Sequence, residues 1–193
     1  LLVLAGAGSG KTGVITQKIR WLIQQENLSP KHVFAVTFTN KAAAEMRERL
    51  STMLSREETR QLSITTFHRL GLTILQRDGA GIGLRRGFTI RDQSDCTNAL
   101  RDIISEHQLG LDERPLLSVI SDWKNRFVTP DDAMAAAQNG REQSAAIAYG
   151  HYQSLLRACN SVDFDDLVCL PVELLTTDTE LRDTWQSRVR HLL

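Results

Sequence analysis

The stretch Ala5-Gly6-Ala7-Gly8-Ser9-Gly10-Lys11-Thr12 decides the fold because of what stands on either side of it. It follows an apolar run, residues 1–4, that is typical of a buried strand, and it precedes apolar residues at helical spacing. Glycines at such a junction let successive backbone N–H groups face phosphate oxygens, and the helix N-terminus adds the positive end of its dipole. The stretch is therefore predicted to be a phosphate-binding P-loop.

Two side chains of this loop carry the expected chemistry. Lys11 is predicted to reach the β- and γ-phosphates of a nucleoside triphosphate, and the Thr12 hydroxyl to bind Mg²⁺. The usual pattern begins with glycine where this chain has Ala5, which is a small change at a strand end. The remaining predicted nucleotide-binding residues are Ala7, Gly8, Ser9 and Gly10.

Beyond the loop, strand and helix patterns alternate. Residues 33–38 and 62–65 are apolar, β-type runs, and each is preceded by apolar residues at helical spacing, within 14–23 and 43–53. Strands separated by helices of this length form βαβ units, which implies a parallel sheet with right-handed crossovers. The fold class is therefore predicted to be α/β, with a parallel sheet that carries the P-loop and has flanking helices.

The pattern changes near residue 88, where β-type runs give way to helical ones. Asp92 is predicted to cap one helix, and Thr129-Pro130-Asp131-Asp132 is typical of the start of another. Five or six helices are expected, with Pro171 kinking or dividing one of them. The second half, from about residue 88, is therefore predicted to be an all-helical module.

Composition narrows the class of protein. The 193 residues include 23 basic and 23 acidic side chains, but 13 basic and six acidic ones fall in residues 1–90, against ten and 17 in residues 91–193. A basic half beside an acidic half suggests different partners, with the basic half suited to polyanions. Cys96, Cys159 and Cys169 form no Cys-x-x-Cys pair, so we expect buried, reduced thiols and no zinc site. Without a membrane-spanning or secretory segment, a cytoplasmic protein is predicted.

Two predicted strand ends carry side chains suited to single-stranded nucleic acid. Phe38 offers a ring for base stacking, and Thr39 and Asn40 offer hydroxyl and amide groups for phosphates. Thr66 and His68 repeat the arrangement after the next strand, so the two ends could form one continuous track. The alternative is an ordinary helix cap at Thr39 or Asn40.

Residues 5–12, 36–49 and 63–68 resemble motifs I, Ia and Ib of the superfamily 1A DNA helicases of the UvrD, PcrA and Rep group. Trp123-Lys124-Asn125 and Asp163-Phe164-Asp165-Asp166-Leu167, at matching order and spacing, favour the Rep branch of that group. The resemblance spans essentially the whole chain. The run Thr37-Phe38-Thr39-Asn40-Lys41-Ala42-Ala43 is far more specific than a P-loop.

The resemblance implies an enzyme that hydrolyses ATP to move 3′ to 5′ along single-stranded DNA and to separate strands at single-strand/duplex junctions. It assigns Gly8, Gly10, Lys11 and Thr12 to ATP and Mg²⁺, and it assigns Phe38, Thr39, Asn40, Thr66 and His68 to the DNA track. It identifies the helical half, residues 88–180, with the insertion that these helicases carry in their first RecA-like domain. The resemblance then implies a partial RecA-like motor domain over 1–87, to which the chain returns over 181–193.

Some family features are expected to lie outside this sequence. Within the sequence, Gly13 stands where the family normally has an arginine that packs against adenine. The features expected outside it are the upstream glutamine motif, the Asp-Glu pair and the arginine finger. The chain is therefore predicted to be an N-terminal fragment with little ATPase activity alone. Two alternatives are the helicase part of a nuclease-helicase and a nucleotide-dependent DNA-binding module that does not translocate.

Two segments of the helical half allow a structural or a functional interpretation. Asp163 is predicted to cap a helix rather than to hold a metal or act as a base. Trp123 and Lys124 could touch duplex DNA, or could be a core tryptophan beside a surface lysine.

Overall fold

Our computed structural model of the chain describes residues 10–193, so the predicted first strand (1–4) and the loop residues Ala5 to Ser9 lie outside it. The described residues fall into two compact units. The first unit comprises residues up to Leu70 together with Asp178–Leu193, and the second is Gly71–Thr177.

The elements follow one another in chain order as helices and short strands. The helices are α1 (Lys11–Gln24), α2 (Asn40–Ser51), α3 (Arg56–Gln61), α4 (Phe67–Asp78), α5 (Gln93–Glu106), α6 (Glu113–Asn125), α7 (Pro130–Ala136), α8 (Gly140–Ala158), α9 (Asp166–Thr177) and α10 (Thr179–Arg188). The strands are β1 (Val33–Thr37), β2 (Ser63–Thr66), β3 (Thr89–Ile90), β4 (Ser161–Val162) and β5 (His191–Leu192).

The first unit contains a parallel sheet, which confirms the α/β prediction. Among the described residues the strand order is β2-β1-β5, with both neighbours parallel to β1. Strands β1 and β2 begin and end almost together, because Phe34 pairs with Ser63 and Thr37 with Thr66. The core between this sheet and helices α1 and α2 is formed mainly by apolar side chains. Its fully buried members include Ile19, Val33, Ala35, Met46, Leu50 and Ile64.

The second unit is built mainly from helices α5 to α9, as expected for the helical half. Asp92 and Thr129 each cap a helix through a reciprocal capping box, with Asp95 and Asp132 respectively, which confirms both predicted helix starts. Sequence reasoning did not find the two-residue parallel pair of β3 and β4, because runs this short have no periodicity to detect.

Helix α9 continues through Pro171 as one element, so the proline does not divide the helix, and a kink at this position stays a prediction. Proline has no N–H to donate to the carbonyl four residues earlier, which here belongs to Leu167. The Leu167 carbonyl lies against the backbone of Gly71, where a Cβ atom would overlap its oxygen. Helix α4 therefore approaches α9 more closely than any other residue type at position 71 would allow.

Replacing Gly71 with alanine is expected to destabilise the second unit by about 1–3 kcal/mol, although alanine favours a helix, because the methyl group would force two backbones apart. Gly150→Ala is the matched control. It also lies inside a helix of this unit, but its Cβ would meet Pro130 Cβ at 3.8 Å, an ordinary contact, so we expect an unchanged or slightly higher stability. Chemical denaturation of the two variants measures the difference, and equal stabilities would contradict the close approach at Gly71.

The structure also tests the cysteine and membrane expectations for residues 10–193. All three cysteines lie in this range as free thiols, with Cys96 and Cys169 buried. Cys159 is exposed, so the expectation that it is buried is wrong, because it follows the last residue of α8 at the helix end. Within the described range no helix is both long and apolar enough to cross a membrane.

Candidate functional site

The carboxyl ends of β1 and β2 lie side by side at one edge of the sheet. Because Thr37 pairs with Thr66 in a parallel ladder, the residues that follow these strands emerge next to each other. Phe38 follows β1 directly, and Phe67 follows β2 directly. The edge where parallel strands end is where ligands of open α/β sheets bind.

The two phenylalanine rings at this edge contact each other. Their centroids are 5.7 Å apart and their planes are inclined by 55°. Phe38 is 88% exposed and Phe67 is 44% exposed, so most of this aromatic surface faces solvent. We call Phe38, Thr39, Asn40, Thr66, Phe67 and His68 the strand-end site.

The two threonines of the strand-end site begin the helices that follow the strands. Thr39 Oγ1 accepts the Ala42 N–H at 3.1 Å and caps α2, and Thr66 Oγ1 accepts the Arg69 N–H at 3.3 Å in the first turn of α4. The cap interpretation of Thr39 is therefore confirmed. A hydroxyl that accepts one hydrogen bond can still donate its own proton, so capping leaves Thr39, which is exposed, able to bind a phosphate oxygen.

Both helices present their N-terminal ends at the strand-end site. The described first turns of α2 and α4 contain no acidic residue, so the positive ends of the helix dipoles are not offset there. Asn40 is exposed as the first residue of α2, and His68 is half-buried as the second residue of α4. The arrangement favours an anionic ligand beside an exposed aromatic surface.

An arginine fixes α2 relative to β2. The Arg47 guanidinium donates to the Ile64 carbonyl oxygen at 2.8 Å, across a sequence separation of 17 residues. This contact holds the helix that carries Asn40 against the strand that leads to Thr66, so both halves of the site rest on one framework.

Sequence reasoning missed Phe67 as a site residue. The signal was present, because Phe67 stands in Thr65-Thr66-Phe67-His68 at the place that Phe38 takes after β1. Sequence alone does not show that the two rings contact each other, since this depends on the register of β1 and β2.

The end of the predicted P-loop lies at the start of α1. Gly10 has φ of 80°, in the left-handed region that favours glycine, and α1 begins at Lys11. Within the described residues no side chain caps this helix end and no acidic residue lies in its first turn, where Lys11 and Thr12 stand. Ala7, Gly8 and Ser9 lie outside the described residues.

In the second unit Lys124 is buried, so the expectation of a surface lysine is wrong. Its ammonium group donates to Asp163 Oδ2 at 2.6 Å and to Asp166 Oδ1 at 2.8 Å, and Tyr152 donates to the same Asp163 oxygen at 3.0 Å. Asp163 and Asp166 also accept each other's backbone N–H groups, as in a capping box. Each of the four carboxylate oxygens thus has a partner. Helix α9 begins at Asp166, so Asp163 as its N-cap residue stays a prediction.

Burial and charge shift the pKa values in this buried ion-pair network. Burial raises the pKa of the Asp166 carboxyl to about 6, against the opposing pull of the Lys124 ammonium. Burial alone would lower the pKa of Lys124, but the charges of Asp166 and Asp163 raise it. These groups hold α6, α8 and α9 together rather than face a ligand.

Comparison with known proteins agrees with these features. The protein-family model of the UvrD/REP helicase N-terminal domain matches residues 1–193. The chain is 46% identical to ATP-dependent DNA helicase Rep of Salmonella typhimurium and of Escherichia coli, with all of the chain and 29% of each relative covered. It is 41% identical to ATP-dependent DNA helicase PcrA of Leuconostoc citreum, again over the whole chain and 26% of that relative.

The match to the family model covers the chain from end to end. The chain spans less than a third of the length of these curated relatives. The chain belongs to the UvrD/REP helicase N-terminal domain family.

Proposed function

We propose that this chain is the N-terminal part of an ATP-dependent 3′–5′ DNA helicase. In this proposal residues 5–12 bind ATP with Mg²⁺, and the strand-end site binds single-stranded DNA near a single-strand/duplex junction. Residues 1–87 and 181–193 serve as the motor domain, residues 88–180 serve as its helical insertion, and the protein acts in the cytoplasm. The observation that carries the proposal is the exposed pair of Phe38 and Phe67 beside the N-termini of two helices whose described first turns contain no acidic residue.

The strand-end site suits single-stranded DNA in both of its components. Base–aromatic stacking contributes about 1–3 kcal/mol per base, and Phe38 exposes nearly its whole ring. Thr39 and Asn40 stand beside the ring at the N-terminus of α2, where hydroxyl, amide and backbone N–H groups can donate to a phosphate. The bases and the phosphate backbone of DNA can therefore be bound by neighbouring residues at the start of α2.

The start of α1 fits a triphosphate. Its helix end has no capping side chain among the described residues, and the left-handed Gly10 turns the chain directly into the first turn. Lys11 would neutralise phosphate charge, and Thr12 would place its hydroxyl on the metal ion. Hydrolysis of bound ATP supplies the free energy for translocation.

The similarity of this chain to the named relatives supports the proposed reaction, ATP-driven separation of DNA strands. The relatives are ATP-dependent DNA helicases by name, and the chain matches them along its whole length. Both the P-loop sequence and the strand-end site fall within the matched residues. The proposed ATP use and DNA binding are therefore supported both by the relatives' names and by residues of this chain. The 3′–5′ direction of movement along DNA is supported by the family resemblance alone.

Phe38→Ala in the full-length protein is expected to weaken binding of single-stranded DNA by about 1–3 kcal/mol, because one stacking surface is lost. Fluorescence anisotropy with labelled oligothymidylate measures the change. Phe127→Ala is the matched control, since Phe127 is also exposed, at 56%, but lies in the second unit. An unchanged affinity for Phe38→Ala, or an equal loss for both variants, would remove Phe38 from the proposed site.

A further inference from the structure

A second candidate binding surface lies at the opposite edge of the sheet. A cavity of about 660 Å³ opens beside α1 and the amino ends of β1 and β5, entirely within the first unit. Lys31 precedes β1 by two positions, and Arg190 directly precedes β5. Strand β1 is roughly 15 Å long at about 3.3 Å per residue, so this edge is well separated from Phe38. We call this cavity the basic cleft, and its principal lining residues are Lys18, Trp21, Leu28, Lys31, Arg190 and His191.

The basic cleft carries positive charge that no carboxylate among the described residues neutralises. Lys18, Lys31 and Arg190 are exposed, and within residues 10–193 none of them forms an ion pair with a carboxylate. Among the described lining residues Glu26 is the one acidic side chain. Three cations from three separate segments thus face one opening, which favours a ligand with several negative charges.

Apolar surface lies between these cations. The Trp21 ring is 43% exposed, and the Lys18 ammonium lies 3.8 Å from its centroid. Leu28 is half-buried beside it, and Leu22 is buried beneath. The lysine over the ring occupies one of its two faces, so that face is not open to a stacking nucleic-acid base.

The backbone that carries the cations is held in place. The His32 ring donates from Nδ1 to the Arg188 carbonyl oxygen at 2.9 Å, and the Arg190 N–H donates to the His32 carbonyl oxygen at 3.1 Å. These contacts fix the segment of Lys31 against the segment of Arg190. Groups held in position before binding lose less entropy when a ligand arrives.

From this combination we infer that the basic cleft binds an acidic peptide segment of a partner protein, with carboxylates spaced along an extended chain. Carboxylates contact Lys31 and Arg190, and an apolar side chain of the peptide packs on Leu28 and the edge of Trp21. Glu26 disfavours a continuous phosphate backbone, whereas a peptide can place a backbone N–H beside it. Because the cleft lies at the other edge of the sheet from the strand-end site, peptide and DNA bind at the same time.

The test uses the full-length protein and a short fluorescein-labelled peptide in which glutamate and leucine alternate. We expect binding that weakens with added salt, because surface charge pairs are screened. Lys31→Glu combined with Arg190→Glu should weaken binding roughly tenfold or more, because like charges then face each other. The neutral pair Lys31→Gln and Arg190→Gln should give a smaller loss, and circular dichroism confirms that each variant is folded.

Arg20→Glu is the matched control. Arg20 is an exposed cation on α1 that does not line the cleft, so its reversal should leave peptide affinity within about twofold of the wild-type value. A peptide with glutamine in place of glutamate should not bind. Absence of binding by the acidic peptide, equal affinity for the wild type and the reversed variant, or displacement of the peptide by oligothymidylate would each overturn the inference.

Discussion

Replacing Lys124 with alanine is expected to lower the free energy of unfolding of the second unit by about 3–5 kcal/mol at pH 7. The substitution removes the single cation that two buried carboxylates share, at 2.6 Å from Asp163 and 2.8 Å from Asp166. Their side chains are only 7% and 5% exposed, so the substitution leaves two buried carboxylates without a compensating cation. Hydrogen exchange of the amides in α6 and α9 of the full-length protein measures the loss.

The cost of Lys124→Ala should shrink as the pH falls. The pKa of Asp166 is already raised to about 6 by burial, and it rises further once the ammonium that lowers it is removed. When the pH is below this raised pKa, the Asp166 carboxyl is protonated and is no longer a buried charge without a partner. The destabilisation should therefore be larger at pH 8 than at pH 5.

Arg126→Ala provides the matched control for Lys124→Ala. Arg126 pairs with Asp122 at 3.3 Å in the same part of the chain, but both side chains are more than 60% exposed. Exposed pairs of this kind contribute about 0–1 kcal/mol. Similar losses for the two variants would show that the buried network does not stabilise the second unit.

Replacing Lys11 with alanine is expected to reduce DNA-stimulated ATP turnover of the full-length protein at least about a thousandfold, equivalent to about 4 kcal/mol. Phosphoryl transfer depends on positive charge placed against the phosphates, and Lys11 of the predicted P-loop stands in the first turn of α1, directly after Gly10. The fold should be unaffected, because Lys11 is exposed. Steady-state phosphate release measures the effect.

Gln17→Ala is the control for Lys11→Ala. Gln17 is exposed further along the same helix, so the substitution should leave turnover within about twofold of the wild-type value. Turnover by Lys11→Ala at a tenth of the wild-type rate or more would contradict the role proposed for the lysine.

Much of the fold could be predicted because local chemistry decides it. The side-chain type of Asp92 before an apolar helical stripe predicts one helix cap, and Thr129 followed by proline and two acidic residues predicts another. The structure contains a capping box at each. The parallel sheet followed from the alternation of β-type runs and helical spacing. Such signals lie within a few residues of each other in the sequence.

The features that sequence reasoning missed depend on distant parts of the chain. Burial of Lys124 requires Asp163 and Asp166, about 40 positions away, and neither partner is indicated by the residues around the lysine. Continuity of α9 through Pro171 accompanies the close packing of Gly71 on Leu167. The contact of Phe67 with Phe38 requires the strand register. Each depends on tertiary packing, which overrides local propensity.

The most direct test of the proposed function is the dependence of ATP turnover on single-stranded DNA in the full-length protein. We expect strong stimulation by oligothymidylate, and for Phe38→Ala combined with Phe67→Ala a half-saturating DNA concentration raised roughly tenfold or more, with unchanged turnover in the absence of DNA. Turnover that DNA does not stimulate, or a half-saturating concentration that the double variant leaves unchanged, would contradict a DNA-driven motor with its track at the strand-end site.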